Sequence, residues 1–118
     1  MTSRIPFLAV ALLATAFLNG CSTPKSLYYY GQYNSAVYSY FKADEVSIDE
    51  QISLLESIIQ TAAAKNKAVA PGIHAHLGML YFEAGNPGLG TQHFEQEQRL
   101  FPESKQYIDF LLKSVKDA

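Results

Sequence analysis

Cys21 is the only thiol in the chain, and His74, His76 and His93 are its only imidazoles. Thiols and imidazoles serve most readily as nucleophiles, proton carriers and metal ligands, so their spacing is weighed first. His74 and His76 stand two residues apart in a segment of helical period, where that step turns side chains roughly 200° from one another. They cannot close on one ion as an i, i+4 pair does. His93 falls on a different helix, so no metal site is expected, and His74 and His76 are assigned to helix packing or helix-end hydrogen bonding. Glu95 and Glu97 diverge for the same reason, which argues against a carboxylate pair. G-x-S-x-G does not occur. The run Gly85-Asn86-Pro87-Gly88-Leu89-Gly90 lacks the lysine and the preceding strand of a phosphate loop and reads as a turn between helices. No enzyme activity is expected.

Cys21 has a different setting. Arg4 and the amino terminus precede an uncharged stretch, Ile5 to Leu18, and then Leu18-Asn19-Gly20-Cys21. That is the three-part build of a secretory signal peptide, and the apolar stretch is shorter than the roughly 20 residues a bilayer span requires. The ending resembles the bacterial lipobox, with Asn19 an uncommon occupant of its position. The resemblance implies diacylglycerol on the thiol and an N-acyl chain on the new amino terminus, with no other cofactor. Residues 1–20 are then a leader, 21–26 a lipidated tether and 27–118 the folded domain. Each buried methylene of such a chain adds about 0.8 kcal/mol, and two or more chains hold a protein at a bilayer durably. Ser22 stands where an aspartate commonly marks inner-membrane retention, so the resemblance implies the periplasmic face of the outer membrane. An extended Ser22–Ser26 reaches only roughly 15–20 Å, which keeps the domain beside the headgroups.

The elements that position these residues follow from period and punctuation. The whole chain carries a net charge of −2, and loss of the leader removes only Arg4 from the charged side chains, so the mature domain is mildly acidic. With no basic cluster it has no footprint for nucleic acid. From Leu27, positions Tyr30, Tyr33, Val37, Tyr40 and Phe41 recur at helical steps. Ser47 and Glu50 form a capping box before the stripe Ile48, Ile52, Leu55, Ile59 and Ala62. After Ala70-Pro71-Gly72 comes a third stripe, Ile73, Leu77, Leu80, Tyr81 and Ala84, closed by Gly85. Asn86-Pro87 opens a fourth helix with Gly90, Phe94, Glu97 and Phe101 inside and Leu100 beside them. Tyr107, Phe110, Leu111 and Val115 mark a fifth, whose outer face carries Lys105, Asp109, Lys113 and Lys116. The fold expected is all-α, five helices in antiparallel hairpins.

Leu77-Gly78, Tyr81, Gly90, Phe94 and Pro102 also fall at the spacings of a tetratricopeptide repeat over residues 71–104. Gly78 and Gly90 are small so that two helices approach, and Tyr81 and Phe94 fill the space beside them. His74 stands where tryptophan is usual and Glu97 where alanine is. The whole sequence, from the lipobox through LYYYGQYNSAVYSYFK, GIHAHLGMLYFEAG and HFEQEQRLFPES, resembles a family of small bacterial lipoproteins of unknown function with tetratricopeptide-like character. The resemblance implies neighbouring genes for other small lipoproteins, one of them related to the curli-secretion pore lipoprotein. Envelope proteins, other lipoproteins among them, are the partners it implies.

In such repeats the first helix of each pair lines a concave face, which carries over here to Ala75, Met79, Phe82 and Glu83 as candidate partner contacts. Phe82→Ala with Met79→Ala is expected to remove partner binding and leave unfolding unchanged. Six of the eight tyrosines lie in residues 28–40. Tyr30, Tyr33 and Tyr40 are assigned to the core, and Tyr28, Tyr29 and Tyr38 to an exposed docking or interfacial patch. The first functional expectation is a non-catalytic adaptor or assembly factor in envelope biogenesis or export. The second is an accessory domain that binds a small apolar or glycan ligand in an aromatic pocket.

Overall fold

The computed structural model describes residues 25–42 and 46–118. Cys21, the 1–20 leader and most of the 21–26 tether lie outside the described residues, as does the side chain of Phe41. The order of elements is β1 (Tyr28–Tyr29), α1 (Tyr33–Lys42), α2 (Ile48–Ala64), β2 (Ala68–Val69), α3 (Ile73–Glu83), α4 (Pro87–Leu100), a 3-10 turn (Pro102–Ser104) and α5 (Lys105–Asp117). The fold is all-α, with β1 and β2 contributing one short parallel contact that sets Tyr28 beside Ala68 and Tyr29 beside Val69.

The helix ends are where their capping residues put them. Ser47 Oγ accepts from the Glu50 N–H, and Glu50 Oε2 accepts from the Ser47 N–H at 3.0 Å, the reciprocal box. Helix α2 stops on Asn66, left-handed at φ 51°, with Lys67 N–H donating to the Ala62 carbonyl and Asn66 N–H to Ala63. Gly85, φ 78°, ends α3 in the same pattern, with Asn86 N–H reaching Tyr81 and Gly85 N–H reaching Phe82. One residue on, Asn86 accepts from the Leu89 N–H and Pro87 opens α4. Two reversals in three residues fold α3 back on α4.

Helix α3 is the centre of the domain. Its residues Ile73, Leu77 and Leu80 join Ala36, Ile52, Leu55, Ile58 and Ala70 in one apolar cluster. From its opposite side Ala75, with Met79 and Phe82, joins Phe94, Ile108 and Leu111 in a second. A helix apolar all round is a helix covered all round, and this one has neighbours on both flanks.

The α3–α4 contact is antiparallel, Glu97 meeting Ala75, Phe94 meeting Gly78 and Gly90 meeting Phe82. A methyl built on Gly78 would stand 2.5 Å from the Phe94 ring, and one on Gly90 would stand 2.5 Å from the Phe82 ring. Each would also lie 3.0 Å from the other glycine's carbonyl oxygen, so the two backbones are in contact. The glycine reading from the sequence stands, with one partner exchanged: Phe82, not Tyr81, fills the space over Gly90.

Two faces differ from the sequence expectation. Helix α1 starts at Tyr33, because Tyr28–Tyr29 pair with β2. Tyr28 and Tyr29 therefore turn half inward against the first cluster, while Tyr30 is exposed. In α5 the buried pair is Ile108 and Leu111; Tyr107 is 57% and Phe110 63% exposed. The stripes 107/111/115 and 108/111/115 share two of three positions, and packing against Phe94 chooses the aliphatic one.

Candidate functional site

A cavity of about 220 Å³ opens between α1, α3 and α5, lined by Tyr33, Val37, Tyr40, Ala75, His76, Met79, Tyr107 and Leu111, with Gly72 at one end. Helices α2 and α4 contribute nothing to this wall. Every second helix among the described residues thus shares one face, and that face is apolar with three tyrosines on it.

Each wall has a local cause. Tyr33, Val37 and Tyr40 recur at helical steps along the inner side of α1. His76 stands between two of them, 4.9 Å from the Tyr40 ring and 6.3 Å from Tyr33 by ring centres. Burial pushes the His76 imidazole down, with Glu83 opposing, so the ring is neutral near pH 7. The Tyr40 hydroxyl donates to Glu83 Oε1 at 2.8 Å, tying α1 to the end of α3. Burial and that carboxylate push Tyr40 up to about 12. Tyr33 is raised by burial, then by Glu97 and Tyr107.

The far end of the slot is set by a buried carboxylate. Gly72 caps α3 in the left-handed region, φ 94°, and has no side chain to offer the free N–H groups of the first turn. Glu97, only 2% exposed on α4, supplies the acceptor: Oε1 takes the Gly72 N–H at 2.7 Å and Oε2 the Ala75 N–H at 3.2 Å. An anion at a helix N-terminus also meets the positive end of the macrodipole. Burial nonetheless leaves Glu97 raised; the amides of Gly72, Ala75 and His74 pull it down, and Glu103 adds a further push upward. Alanine at position 97 would leave those amides without this acceptor.

Of the candidate partner contacts, Ala75 and Met79 line the slot, but Ala75 is itself packed in the second cluster. Phe82 lies off the slot. It covers Gly90 and stacks on Phe94, ring centres 5.4 Å apart. Its truncation to alanine would open a hole in the α3–α4 contact, so the double variant with Met79→Ala is not silent in unfolding. Glu83 is engaged by Tyr40 at the rim. Of the three tyrosines assigned to a patch, only Tyr38 is well exposed, with Lys42 over its ring at 5.3 Å. Tyr28 packs edge-on to Phe101 and Tyr29 lies under the Lys65 ammonium at 4.8 Å. Tyr33, Val37, Tyr40, His76 and Tyr107 were not singled out as a set from the sequence. The apolar encirclement of α3 is the signal that a third helix would close over it.

The histidines divide. His76 faces the slot, while His74, 6% exposed, meets His93 on the other side of α3 with their Nδ1 atoms 3.0 Å apart. His93 lies flat on Tyr81, 5.4 Å between ring centres and 6° between planes, and the Tyr81 hydroxyl donates to Glu56 on α2. Burial first, then His93, lowers His74 to about 4. Among the described residues no set of three His, Cys, Asp or Glu side chains stands close enough to enclose a metal ion. None of the described helices is long and apolar enough to cross a membrane.

A family model, described as a domain of unknown function (DUF4810), matches residues 27–111. No solved structure matches the chain.

Proposed function

For a chain that belongs to the DUF4810 family, whose function is unknown, we propose a lipid-anchored, non-catalytic adaptor that receives a partner protein in the α1–α3–α5 slot. The reading rests on one observation: an apolar, tyrosine-lined cavity on the face shared by alternate helices. That is the face a tetratricopeptide-like stack uses for partners, and the glycine contact of α3 with α4 fits the same architecture. With Cys21 acylated and a short tether, the slot works close to the periplasmic leaflet of the outer membrane. Partners are then envelope proteins, other lipoproteins among them, in assembly or export. Glu83 at the rim suits a basic residue flanking an apolar anchor side chain.

Met79 is the residue to change, because it lines the slot and is only partly buried. Met79→Arg places a cation across the cavity. Wild-type protein is expected to retain a neighbouring envelope lipoprotein in a pull-down, and Met79→Arg, checked as folded by circular dichroism because Met79 also packs against the second cluster, to lose at least nine-tenths of it. Equal retention by Met79→Arg removes the slot from the account.

The slot's size supports a second reading, an accessory domain that binds a small apolar or glycan ligand. The Nε2 of His76 is buried with no hydrogen-bond partner among the described residues, a polar group for such a ligand to meet. A thermal-shift panel of glycans and lipids separates the two readings: a rise that Met79→Arg abolishes supports the ligand.

A further inference from the structure

The β1–β2 end of the domain lends no residue to the slot, and it is where the tether joins the fold. Leu27, the residue before β1, is 80% exposed, and Tyr30 and Leu100 are exposed as well. The Tyr28 ring ties them together. It meets Tyr30 edge-on at 6.4 Å and Phe101 at 6.1 Å, and it shares an open groove of about 460 Å³ with Lys67, Leu100 and Phe101. No acidic side chain occurs in residues 25–42 or 57–82. The first stretch begins with Lys25 and the second carries Lys65 and Lys67, all three exposed. Glu103, in the 3-10 turn after Phe101, is the carboxylate set against them. We propose that this end docks on an anionic phospholipid bilayer, with Leu27, Tyr30 and Leu100 entering the headgroup layer and Lys25, Lys65 and Lys67 meeting lipid phosphates.

The short parallel pairing makes the juxtaposition. Its register sets Tyr28 beside Ala68, so one step back Leu27 stands opposite Lys67. Lys65 is drawn to the same strand by the Tyr29 ring, 4.8 Å from its ammonium. Acidic side chains outnumber basic ones over the chain, so lysines gathered at one end orient the domain in a negative field. Lysine stems lie along apolar surface while their heads reach phosphate, and a tyrosine ring sits at that boundary with its hydroxyl in water. The tether chooses a bilayer over a protein partner. Leu27 follows Cys21 by six residues, roughly 20 Å at full extension, so an acylated sulfur brings this end to the headgroups. The inference rests on the Cys21 anchor proposed above and adds the face that the anchor presents to lipid.

The test uses the chain as isolated from membranes, placed in vesicles of phosphatidylethanolamine with phosphatidylglycerol and, for comparison, in a neutral detergent. Lysines are acetylated with an N-hydroxysuccinimide ester and read by peptide mass spectrometry. Labelling of Lys25, Lys65 and Lys67 is expected to fall at least fivefold from detergent to vesicles, with Lys113 and Lys116 in the last turns of α5 unchanged. Leu27→Glu, at a site too exposed to disturb the core, is expected to return Lys67 to its detergent level while the chain still floats with the vesicles. Undiminished protection in Leu27→Glu means that the apolar residues do not enter the headgroup layer, which overturns the docked arrangement. Flotation reads the anchor and labelling reads the face. A chain that floats with all five lysines labelled alike in both media overturns the face and leaves the anchor standing; a chain that does not float overturns both. Protection already present in detergent that grows with protein concentration assigns the face to a second copy and overturns the bilayer.

Discussion

Gly78→Ala and Gly90→Ala are each expected to cost about 2 kcal/mol and to lower the thermal midpoint by roughly 8–16 °C. On propensity alone the opposite sign holds, since alanine gains up to about 1 kcal/mol over glycine inside a helix. Contact decides against propensity here. The added methyl at Gly78 meets a Phe94 ring that is fully buried, and the one at Gly90 meets Phe82, each at 2.5 Å. Neither ring can retreat without pulling on the other, because Phe82 and Phe94 are stacked. Backbone oxygen at 3.0 Å blocks the remaining direction. The double variant is expected to cost less than the sum of the two, since one separation of α3 from α4 accommodates both methyls. Gly88→Ala is the control: on the same helix its methyl would meet only Asn86 Oδ1 at 3.7 Å, so stability should hold or rise. Circular-dichroism melts of the three variants check the order. A destabilised Gly88→Ala beside an unchanged Gly90→Ala would remove the close approach.

The second large effect belongs to Glu97. Glu97→Ala leaves the Gly72 and Ala75 amides buried without an acceptor, and the cost is expected at about 2–4 kcal/mol. Glu97→Gln keeps one carbonyl oxygen but turns an NH₂ group toward the same amides, so an intermediate loss is expected. The pH dependence separates the carboxylate from a merely bulky side chain. Because burial raises Glu97, the folded state holds its proton more tightly than the unfolded chain does. Its contribution is therefore complete below the ordinary carboxyl pKa and declines as pH rises through the raised one. Glutamine does not titrate, so the margin of wild type over Glu97→Gln should narrow from pH 4.5 to pH 7 in urea unfolding. A margin that widens with pH contradicts the burial of that carboxylate.

Local chemistry was legible in the sequence wherever it is self-contained. Ser47 with Glu50, Gly85, and Asn86-Pro87 each solve a helix end with neighbours three or four residues away, and all three stand where their spacing put them. Gly78 and Gly90 were legible as the small residues of an expected spacing, and they do meet across α3 and α4. The failures are long-range. Tyr28–Tyr29 pair with a two-residue strand across the whole of α1 and α2, which leaves no period to detect. Glu97 was visible as a departure from pattern, yet its meaning depends on Gly72, which has no side chain to cap α3. The slot needed Tyr33, Met79 and Tyr107 brought together from three helices, and His74 needed His93 from a fourth. Helical wheels rank faces; they do not say which two faces meet.

The adaptor reading requires that the domain be held at a bilayer by fat on one sulfur. Intact-mass spectrometry of the chain extracted from membranes tests this most directly. The account predicts a mature species that begins at Cys21 and carries thioether-linked diacylglycerol and an amide-linked acyl chain. A chain intact from Met1, or a Cys21 thiol left unmodified, contradicts it.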